Sequence, residues 1–316
     1  MKCIAGFLLL CFFAASKAQA GCTVAAAATP AAFGTISSTL VRTVAQSTSS
    51  SSAGISCTPG GIALFSTAYF KAKITSTQSG LVGPTGDVIT YTIYPGNTTA
   101  HPIARGTTFD FTSFGLLGSN APSAIPLYFT TAINNVAAGV YTETLSVQWD
   151  WYYCTGLGVG NACLGSDSGV AKFTTLTVSM TVANDCTISA VNIAFGSAPV
   201  VSAFSTVSQT ASVACTKGSA YTVGFSDGLH PLSTGGRRRM ISGSNYLAYD
   251  IFKSAGTTRW GSVGAARRAS STAEVNPGNG LGTGSQIFNY NARIYTDQTT
   301  PPAGTYTDSV VLDVVF

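Results

Sequence analysis

The strongest constraint on the fold is that the sequence repeats itself. Each half opens with a cysteine and a threonine, reaches an Ala-Phe-Gly step, and later has a second cysteine followed by threonine. These segments are Cys22-Thr23-Val24, Ala32-Phe33-Gly34 and Cys57-Thr58 in the first half, and Cys186-Thr187-Ile188, Ala194-Phe195-Gly196 and Cys215-Thr216 in the second. Because the offset stays close to 160 residues, as from Cys22 to Cys186, the chain contains a duplicated unit.

Later segments extend the repeat and divide the chain into domains. Gly139-Val140-Tyr141-Thr142-Glu143-Thr144-Leu145 matches Gly304-Thr305-Tyr306-Thr307-Asp308-Ser309-Val310. The segment 89–94 likewise matches the segment 247–252. We therefore expect one domain over residues 21–182 and a second over residues 183–316, each of a size that suits a single core.

The residue pattern predicts an all-β fold. Only 9% of the residues are charged, while Gly, Ser, Thr, Val and Tyr are abundant. Alternating β-branched and aromatic runs, interrupted by Gly and Pro, are typical of many short strands. No segment forms a convincing amphipathic helix.

Residues 1–20 have the features of a signal peptide. Lys2 gives a positive charge, Ile4 to Ala15 form a short apolar stretch, and Ala18-Gln19-Ala20 is an A-x-A cleavage site. The alternative, a membrane anchor, needs about 20 apolar residues. We expect a secreted chain that begins at Gly21.

Export makes disulfide bonds the expected state of the remaining cysteines, which are Cys22, Cys57, Cys154, Cys163, Cys186 and Cys215. The repeat pairs Cys22 with Cys57 and Cys186 with Cys215 as equivalent bonds. It leaves Cys154 and Cys163 as a local pair. No two cysteines form a CxxC pair and only two histidines are present, so we expect no metal site and no cofactor.

Charge and motif content weigh against nucleic-acid binding and catalysis. Without Lys2 and Lys17, the chain has fourteen Lys and Arg against twelve Asp and Glu, so no nucleic-acid partner is indicated. Segment 165–169 looks like a serine-protease loop, but neither histidine lies in a motif that would complete a triad. The arginine runs 237–239 and 267–268 are expected on a solvated face.

At this point the second domain resembles a known family. Its Cys-Thr-Ile opening, Ala-Phe-Gly step, second cysteine and 304–310 segment are similar to the spore coat protein U-like pilin domain of archaic (Csu-type) chaperone–usher pili. The resemblance implies two immunoglobulin-like β-sandwiches, the C-terminal one lacking its last strand. It implies a periplasmic pilus chaperone, an outer-membrane usher and a next pilin subunit as partners. In this family the chaperone first supplies the missing strand, and the next subunit then replaces it.

The last segment of the chain fits an incomplete domain. Residues 309–316 form an apolar strand in which Val310, Leu312, Val314 and Phe316 share one face, and we expect this edge to accept the added strand. The first domain continues through residues 170–182, which can complete it from within. We expect domain one to be closed and domain two to be open.

The other end of the chain suggests a position in the polymer. Only Gly21 precedes Cys22 after the predicted cleavage, so we expect no donor segment and therefore a place at the pilus tip on the cell surface. The resemblance then implies a two-domain tip adhesin that serves attachment and biofilm formation. A structural shaft subunit and a secreted lectin-like module are the alternatives.

The surface-binding loops are expected at the pole of domain one away from domain two. They would bind an abiotic or host surface through apolar side chains, which are Phe114, Leu116, Leu117, Trp151, Tyr152, Tyr153, Leu157 and Val159. The alternative is that Trp151 and Tyr153 extend the inward face of their strand and belong to the core.

Overall fold

The computed structural model describes residues 21–58, 63–64, 68–113, 122–156, 158–159 and 162–316. The predicted signal peptide, residues 1–20, lies outside the described residues. No described helix is both long and apolar enough to cross a bilayer.

The described chain is almost entirely β-structure arranged around two hydrophobic cores. One core collects buried side chains between Ala28 and Val182, and the other collects those between Val201 and Ile294. We call the two units domain one and domain two. A short helix, α1 (Ser38–Thr43), begins at Ser37, whose hydroxyl accepts a hydrogen bond from the Leu40 amide at 3.3 Å. A helix of six residues, fewer than two turns, is too short to show a helical period in the sequence.

The strands of domain one are β1 (Cys22–Val24), β2 (Ala31–Ser37), β3 (Ser47–Ser50), β4 (Ile55–Cys57), β5 (Ala63–Leu64), β6 (Tyr69–Thr75), β7 (Leu81–Val82), β8 (Val88–Ile89), β9 (Tyr91–Tyr94), β10 (Thr108–Asp110), β11 (Leu127–Thr131), β12 (Gly139–Cys154), β13 (Gly158–Val159), β14 (Ala162–Cys163) and β15 (Ser166–Ala183). One sheet has the order β10-β6-β12-β15-β2, and the facing sheet has the order β3-β11-β9. Strand β15 lies antiparallel to β12 and parallel to β2, so domain one is completed by its own chain.

The strands of domain two are β16 (Cys186–Ala190), β17 (Val207–Cys215), β18 (Thr222–Phe225), β19 (Arg238–Ser242), β20 (Asn245–Lys253), β21 (Arg268–Ala269), β22 (Gln286–Ile294) and β23 (Leu312–Val315), with 3-10 turns at Val201–Ala203, Gly264–Ala266 and Ser270–Thr272. One sheet has the order β16-β17-β22-β20-β19 and the other has the order β21-β18-β23. The two sheets enclose Trp260, Phe288 and Ile251. The fold is therefore two immunoglobulin-like sandwiches, as the sequence predicted.

Comparison of the two domains shows where the second is incomplete. Strands β6, β12 and β15 of domain one follow one another in its sheet, and β18 and β23 occupy the positions of β6 and β12. Within residues 183–316, all of which are described, no strand occupies the position of β15. The segment 193–199, which corresponds to β2, therefore has no strand partner on that side.

The three disulfides have the predicted pairing. Cys22 is bonded to Cys57 and Cys186 to Cys215, and in each case the two cysteines face each other across an antiparallel strand pair. Cys154 is bonded to Cys163, with the two Cα atoms 5.6 Å apart. This third bond closes the end of the β12–β15 hairpin.

Direct contacts join the two domains. Lys217 Nζ lies 2.6 Å from Asp87 Oδ1, and the Ser38 and Thr216 hydroxyls are 2.7 Å apart. Asn135 donates a hydrogen bond to the Leu281 carbonyl at 3.0 Å. These contacts lie at the start of β12, so the β12–β15 hairpin points away from domain two.

Candidate functional site

Domain two contains an open apolar groove where domain one has β15. The groove has a volume of about 460 Å³ and lies between the segment 190–195 and the segment 306–312. Its floor consists of core side chains from both sheets, which are Phe225, Tyr249, Ile251 and Tyr290. We call this feature the acceptor groove. The floor itself is buried, but wall side chains such as Val310 and Leu312 are only partly buried, and a complete sandwich would bury them fully.

The repeat offset of 165 residues allows the same position to be compared in both domains. Leu145 and Val147 of β12 are fully buried because β15 covers them. Their counterparts in domain two, Val310 and Leu312, are only partly buried. The difference lies in the missing neighbour and not in the residue type, since all four side chains are aliphatic.

A pair of tyrosines confirms that this register is structural. The Tyr141 hydroxyl donates a hydrogen bond to the Ala137 carbonyl at 2.7 Å, four residues earlier in the chain. The Tyr306 hydroxyl donates in the same way to the Pro302 carbonyl at 2.8 Å. Tyr141 is fully buried, whereas Tyr306 lines the acceptor groove and is partly exposed. The segments that begin at Gly139 and Gly304 are thus equivalent.

One wall of the groove is held by strand β23. Its backbone pairs with β18 on one side only, from Thr222–Val315 to Phe225–Leu312. The Arg267 guanidinium bonds the Asp313 carboxylate at 2.9 Å and the Thr222 carbonyl at 2.9 Å, which ties β23 to β18 from the outer face. The other edge of β23 has no strand partner within residues 183–316.

Three of the four predicted acceptor residues pack as the alternation requires. Val310, Leu312 and Val314 are partly buried against the core of domain two. Phe316 is 52% exposed and, like Val314, is not among the residues that line the groove, so its role as an acceptor residue stays a prediction. It lies beyond the last residue of β23, where pairing with β18 no longer directs the side chain.

The arginine runs of domain two are only partly on a solvated face, since Arg238 and Arg268 are buried whereas the Arg237 side chain is 37% exposed. Arg238 is fully buried, where its guanidinium bonds Asp250 and the carbonyls of Phe225 and Trp260, the latter two at 2.9 Å. Asp250 also accepts a bond from Arg259 at 2.9 Å. These bonds satisfy the buried charges, which would otherwise be costly. Arg238 is therefore a structural support of the sheet beneath the groove.

At the far pole of domain one, two predicted contact residues are in the core. Trp151 and Tyr153 are only 3% and 2% exposed, so their prediction as surface-binding residues is wrong. Strand β12 alternates without interruption, and odd-numbered side chains from Tyr141 onwards point inward to the end of the strand. Trp151 also donates a hydrogen bond from Nε1 to Asp167 Oδ2 at 2.7 Å. Tyr152, on the opposite face, is half-exposed and stacks on Tyr69.

Two apolar side chains that are exposed near this pole, Val170 and Phe173, were not among the predicted contact residues. The register of β15 shifts between its pairings with Trp149 and Trp151, which inserts an extra residue into β15. Phe173 faces outward by the regular alternation of β15, and the bulge turns Val170 outward as well; the two side chains are 59% and 70% exposed. Leu164, in the hairpin turn, is also exposed. A bulge leaves no clear signal in an alternating sequence.

The other predicted loop residues cannot be placed. Phe114, Leu116, Leu117 and Leu157 lie outside the described residues. Val159 belongs to β13, but its side chain is also outside them. Their role as surface-binding residues stays a prediction.

Domain one contains a buried ion pair that supports the sandwich. The Glu143 carboxylate is bonded by Arg105 and accepts a hydrogen bond from the Tyr91 hydroxyl at 2.6 Å. Burial alone would raise the pKa of Glu143, but the bonds from Arg105 and Tyr91 outweigh it and hold that pKa below its ordinary value. Among the described residues, no cluster of three or more His, Cys, Asp or Glu could hold a metal ion.

Comparison with known proteins gives a family and a related structure. The sequence matches the family described as Spore Coat Protein U domain over residues 9–148 and 172–313. The fold is similar to a chain in the crystal structure of the CsuC–CsuE chaperone–tip adhesion subunit pre-assembly complex from archaic chaperone–usher Csu pili of Acinetobacter baumannii. That similarity has a TM-score of 0.64 and 28% identity, and it covers 93% of this chain and 100% of that chain.

A second structure, of the chaperone–tip adhesin complex in CFA/I fimbriae biogenesis, matches with a TM-score of 0.29 and 8% identity over 82% of this chain and 97% of that chain. No curated protein sequence is significantly similar to this chain.

Proposed function

The chain belongs to the Spore Coat Protein U domain family and is a subunit of a chaperone–usher pilus, and from this premise we propose that it is the tip adhesin. Domain two would attach it to the fibre, and domain one would contact the surface to which the cell adheres. The family is one of structural pilus subunits and not of enzymes.

The observation that carries this proposal is the acceptor groove in the position of β15. A strand from another chain that lay antiparallel to β23 and parallel to segment 193–199 would reproduce the pairing of β15 with β12 and β2. It would complete the burial of Val310, Leu312 and Val314. Full burial of a large aliphatic side chain contributes about 1.5 to 3 kcal/mol, so completing three half-buried ones contributes roughly 2 to 4.5 kcal/mol.

The pattern of β15 indicates which donor would fit. Its inward side chains are Thr174, Leu176, Val178, Met180 and Val182. Leu176 lies opposite Leu145, whose counterpart is Val310, and Met180 lies opposite Tyr141, whose counterpart is Tyr306. We therefore propose that the donor presents alternating medium-sized apolar residues, first from a periplasmic chaperone and then from the next pilin subunit. The usher would carry out the exchange at the outer membrane.

The free pole of domain one is the proposed adhesive end. The contacts of Asp87 and Ser38 with domain two lie at the opposite end of β12 from the Cys154–Cys163 bond. Leu164, Val170 and Phe173 expose apolar surface near that free pole, which is typical of an interaction site. Because domain one already has its own last strand, this pole is free for an abiotic or host surface.

The groove can be tested by supplying the strand in cis. A short turn followed by a copy of residues 170–183 would be joined after Phe316, which reproduces the β12–β15 hairpin. The matched control has Asn in place of the four inward residues of the copy that correspond to Leu176, Val178, Met180 and Val182. The first chain should be monomeric and unfold at a higher temperature than the control. Equal melting temperatures and equal aggregation would contradict the acceptor groove.

The position in the fibre needs a separate experiment. A peptide epitope in the exposed loop at Leu232 should be detected by immunogold labelling once per fibre, at its end. Label distributed along the fibre would instead support the alternative of a shaft subunit.

A further inference from the structure

A second pocket of domain one lies away from both the acceptor groove and the free pole. It has a volume of about 440 Å³ and lies on the outer face of the sheet β3-β11-β9. Its walls are formed by segments 47–49, 96–99 and 128–130, together with Tyr94. We call it the flank pocket.

Two tyrosine rings form the apolar part of the flank pocket. Tyr94 and Tyr128 face each other across the antiparallel strands β9 and β11, so their side chains lie next to each other on one face. Both are half-buried, whereas the adjacent Ile93 and Phe129 point into the core. Within the described residues, neither tyrosine hydroxyl has a hydrogen-bond partner. The sheet therefore holds two ring faces and two free hydroxyls toward solvent.

The remaining lining is made of hydroxyl and amide groups. Ser49 is the cross-strand neighbour of Tyr128, and Ser47 is that of Thr130. The Ser47 and Thr130 hydroxyls are 3.1 Å apart. The loop 96–99 adds the side chains of Asn97, Thr98 and Thr99 on the other side. These groups can both donate and accept hydrogen bonds.

The composition of the pocket selects one class of ligand. Among the described residues, no charged side chain lines it, so a charged ligand would lose hydration without gaining a counter-charge. A purely apolar ligand would leave the tyrosine, serine and threonine hydroxyls unpaired, which also costs free energy. A ligand with apolar C–H faces and neutral hydroxyl groups satisfies both the rings and the hydroxyls. From this we infer that the flank pocket binds a neutral saccharide.

The location of the pocket makes such binding compatible with the rest of the molecule. Strand β11 runs from the free pole, at Leu127, toward domain two, which Asn135 contacts. Tyr94 and Tyr128 therefore lie in the half of domain one that is farther from domain two. This inference does not depend on the acceptor groove or on the tip position.

The test is direct binding of neutral oligosaccharides to the full chain, residues 21–316. Hexasaccharides of glucose, mannose and N-acetylglucosamine would be compared with a uronic-acid hexasaccharide by saturation-transfer NMR. At least one neutral hexasaccharide should bind, and the charged one should not. Tyr94→Ala and Tyr128→Ala should each abolish the signal. The matched control is Tyr246→Ala, at a tyrosine of domain two that is 41% exposed.

A milder variant distinguishes loss of binding from unfolding of domain one. The double variant Tyr94→Phe/Tyr128→Phe keeps both rings and removes both hydroxyls, so it should weaken binding about tenfold. Three results would overturn the inference. These are affinity weaker than about 10 mM for every neutral hexasaccharide, preference for the charged one, or unchanged binding by the double variant.

Discussion

Replacing Trp151 separates a core role from an adhesive role at the free pole. The indole is 3% exposed and packs over Gly169, where a Cβ atom would overlap the ring. Its Nε1 donates a hydrogen bond to Asp167 at 2.7 Å. Trp151→Ala therefore removes packing and one hydrogen bond from domain one, and it removes no exposed surface.

The size of the effect follows from that environment. Truncation of a buried Trp or Phe to Ala costs about 3 to 5 kcal/mol. The lost hydrogen bond adds little, because the Asp167 carboxylate keeps its bond from the Cys22 amide at 2.8 Å. We expect a loss of about 4 kcal/mol in the free energy of unfolding of domain one. At about 2 to 4 °C per kcal/mol for a domain of this size, its melting temperature should fall by about 8 to 16 °C.

The assay pairs calorimetry with attachment. Calorimetry is carried out on the chain extended after Phe316 by the copy of residues 170–183, and it gives the melting temperature of domain one. Cell attachment divided by the number of fibres per cell gives the adhesion of each fibre. The matched variant is Phe173→Ser, at a 59% exposed side chain, which should change stability by no more than about 0.5 kcal/mol. It should reduce attachment per fibre, because the proposed apolar contact is lost.

The opposite pattern would refute this reasoning. If Trp151→Ala left the melting temperature unchanged and abolished attachment, the indole would be a surface contact after all. If Phe173→Ser destabilised domain one as strongly as Trp151→Ala, Phe173 would not lie outside the core.

Three further predictions address other parts of the molecule. Because the pKa of Glu143 is lowered, the stability from its pair with Arg105 is complete above the ordinary value of 4.5 and is lost as the pH falls through the lowered pKa. Glu143→Gln should therefore flatten the decrease in melting temperature below about pH 4.5 and lower stability at pH 7. Gly282→Ala should weaken the contact between the two domains, since Gly282 has φ +78° and an added Cβ would overlap Asn135. Solution scattering should then show a broader distribution of interatomic distances. An unchanged distribution would contradict the interface. Leu312→Asp should abolish incorporation of the subunit into fibres while the protein is still synthesised, because a buried unpaired charge costs several kcal/mol. A normal amount of the subunit on immunoblots of isolated fibres would contradict this prediction.

The repeat allowed most of the fold to be predicted, because matched positions in the two halves identify equivalent strands even where local strand propensity is weak. A strand such as β12 has seven inward side chains in strict alternation, and its counterpart in domain two retains Tyr306 and Val310 in register. The disulfides followed in the same way, since Cys22 and Cys186 occupy equivalent positions. The open groove also follows from comparing the two copies.

The details of the proposed sites depend on geometry that the sequence does not encode locally. An apolar residue near a strand end, such as Trp151, can face either way until the phase of the strand is known. The bulge in β15 depends on how that strand pairs with β12, and it alone exposes Val170. Arg238 is in an arginine run, yet its burial depends on Asp250, which is on the adjacent strand. Each of these outcomes is set by residues distant in the sequence.

The duplicated units differ in whether the chain itself supplies the last strand, and this difference has thermodynamic consequences. Domain one has β15 in the same chain. It therefore avoids the loss of translational and rotational freedom, about 4 to 15 kcal/mol, that accompanies binding of a strand from another molecule. Its fold is therefore independent of protein concentration. Completion of domain two by a strand in trans depends on the concentration and affinity of the donor.

This asymmetry links folding to assembly. A chain without a donor would keep the groove beneath Val310 and Leu312 open to solvent, with its aggregation risk, while domain one was already complete. Any donor that binds the groove stabilises domain two in proportion to its occupancy. Domain one gains nothing from that binding, so its surface sites are formed before, during and after assembly. Under the proposed function, the copy that contacts the surface thus stays complete while the other copy passes from one donor to the next.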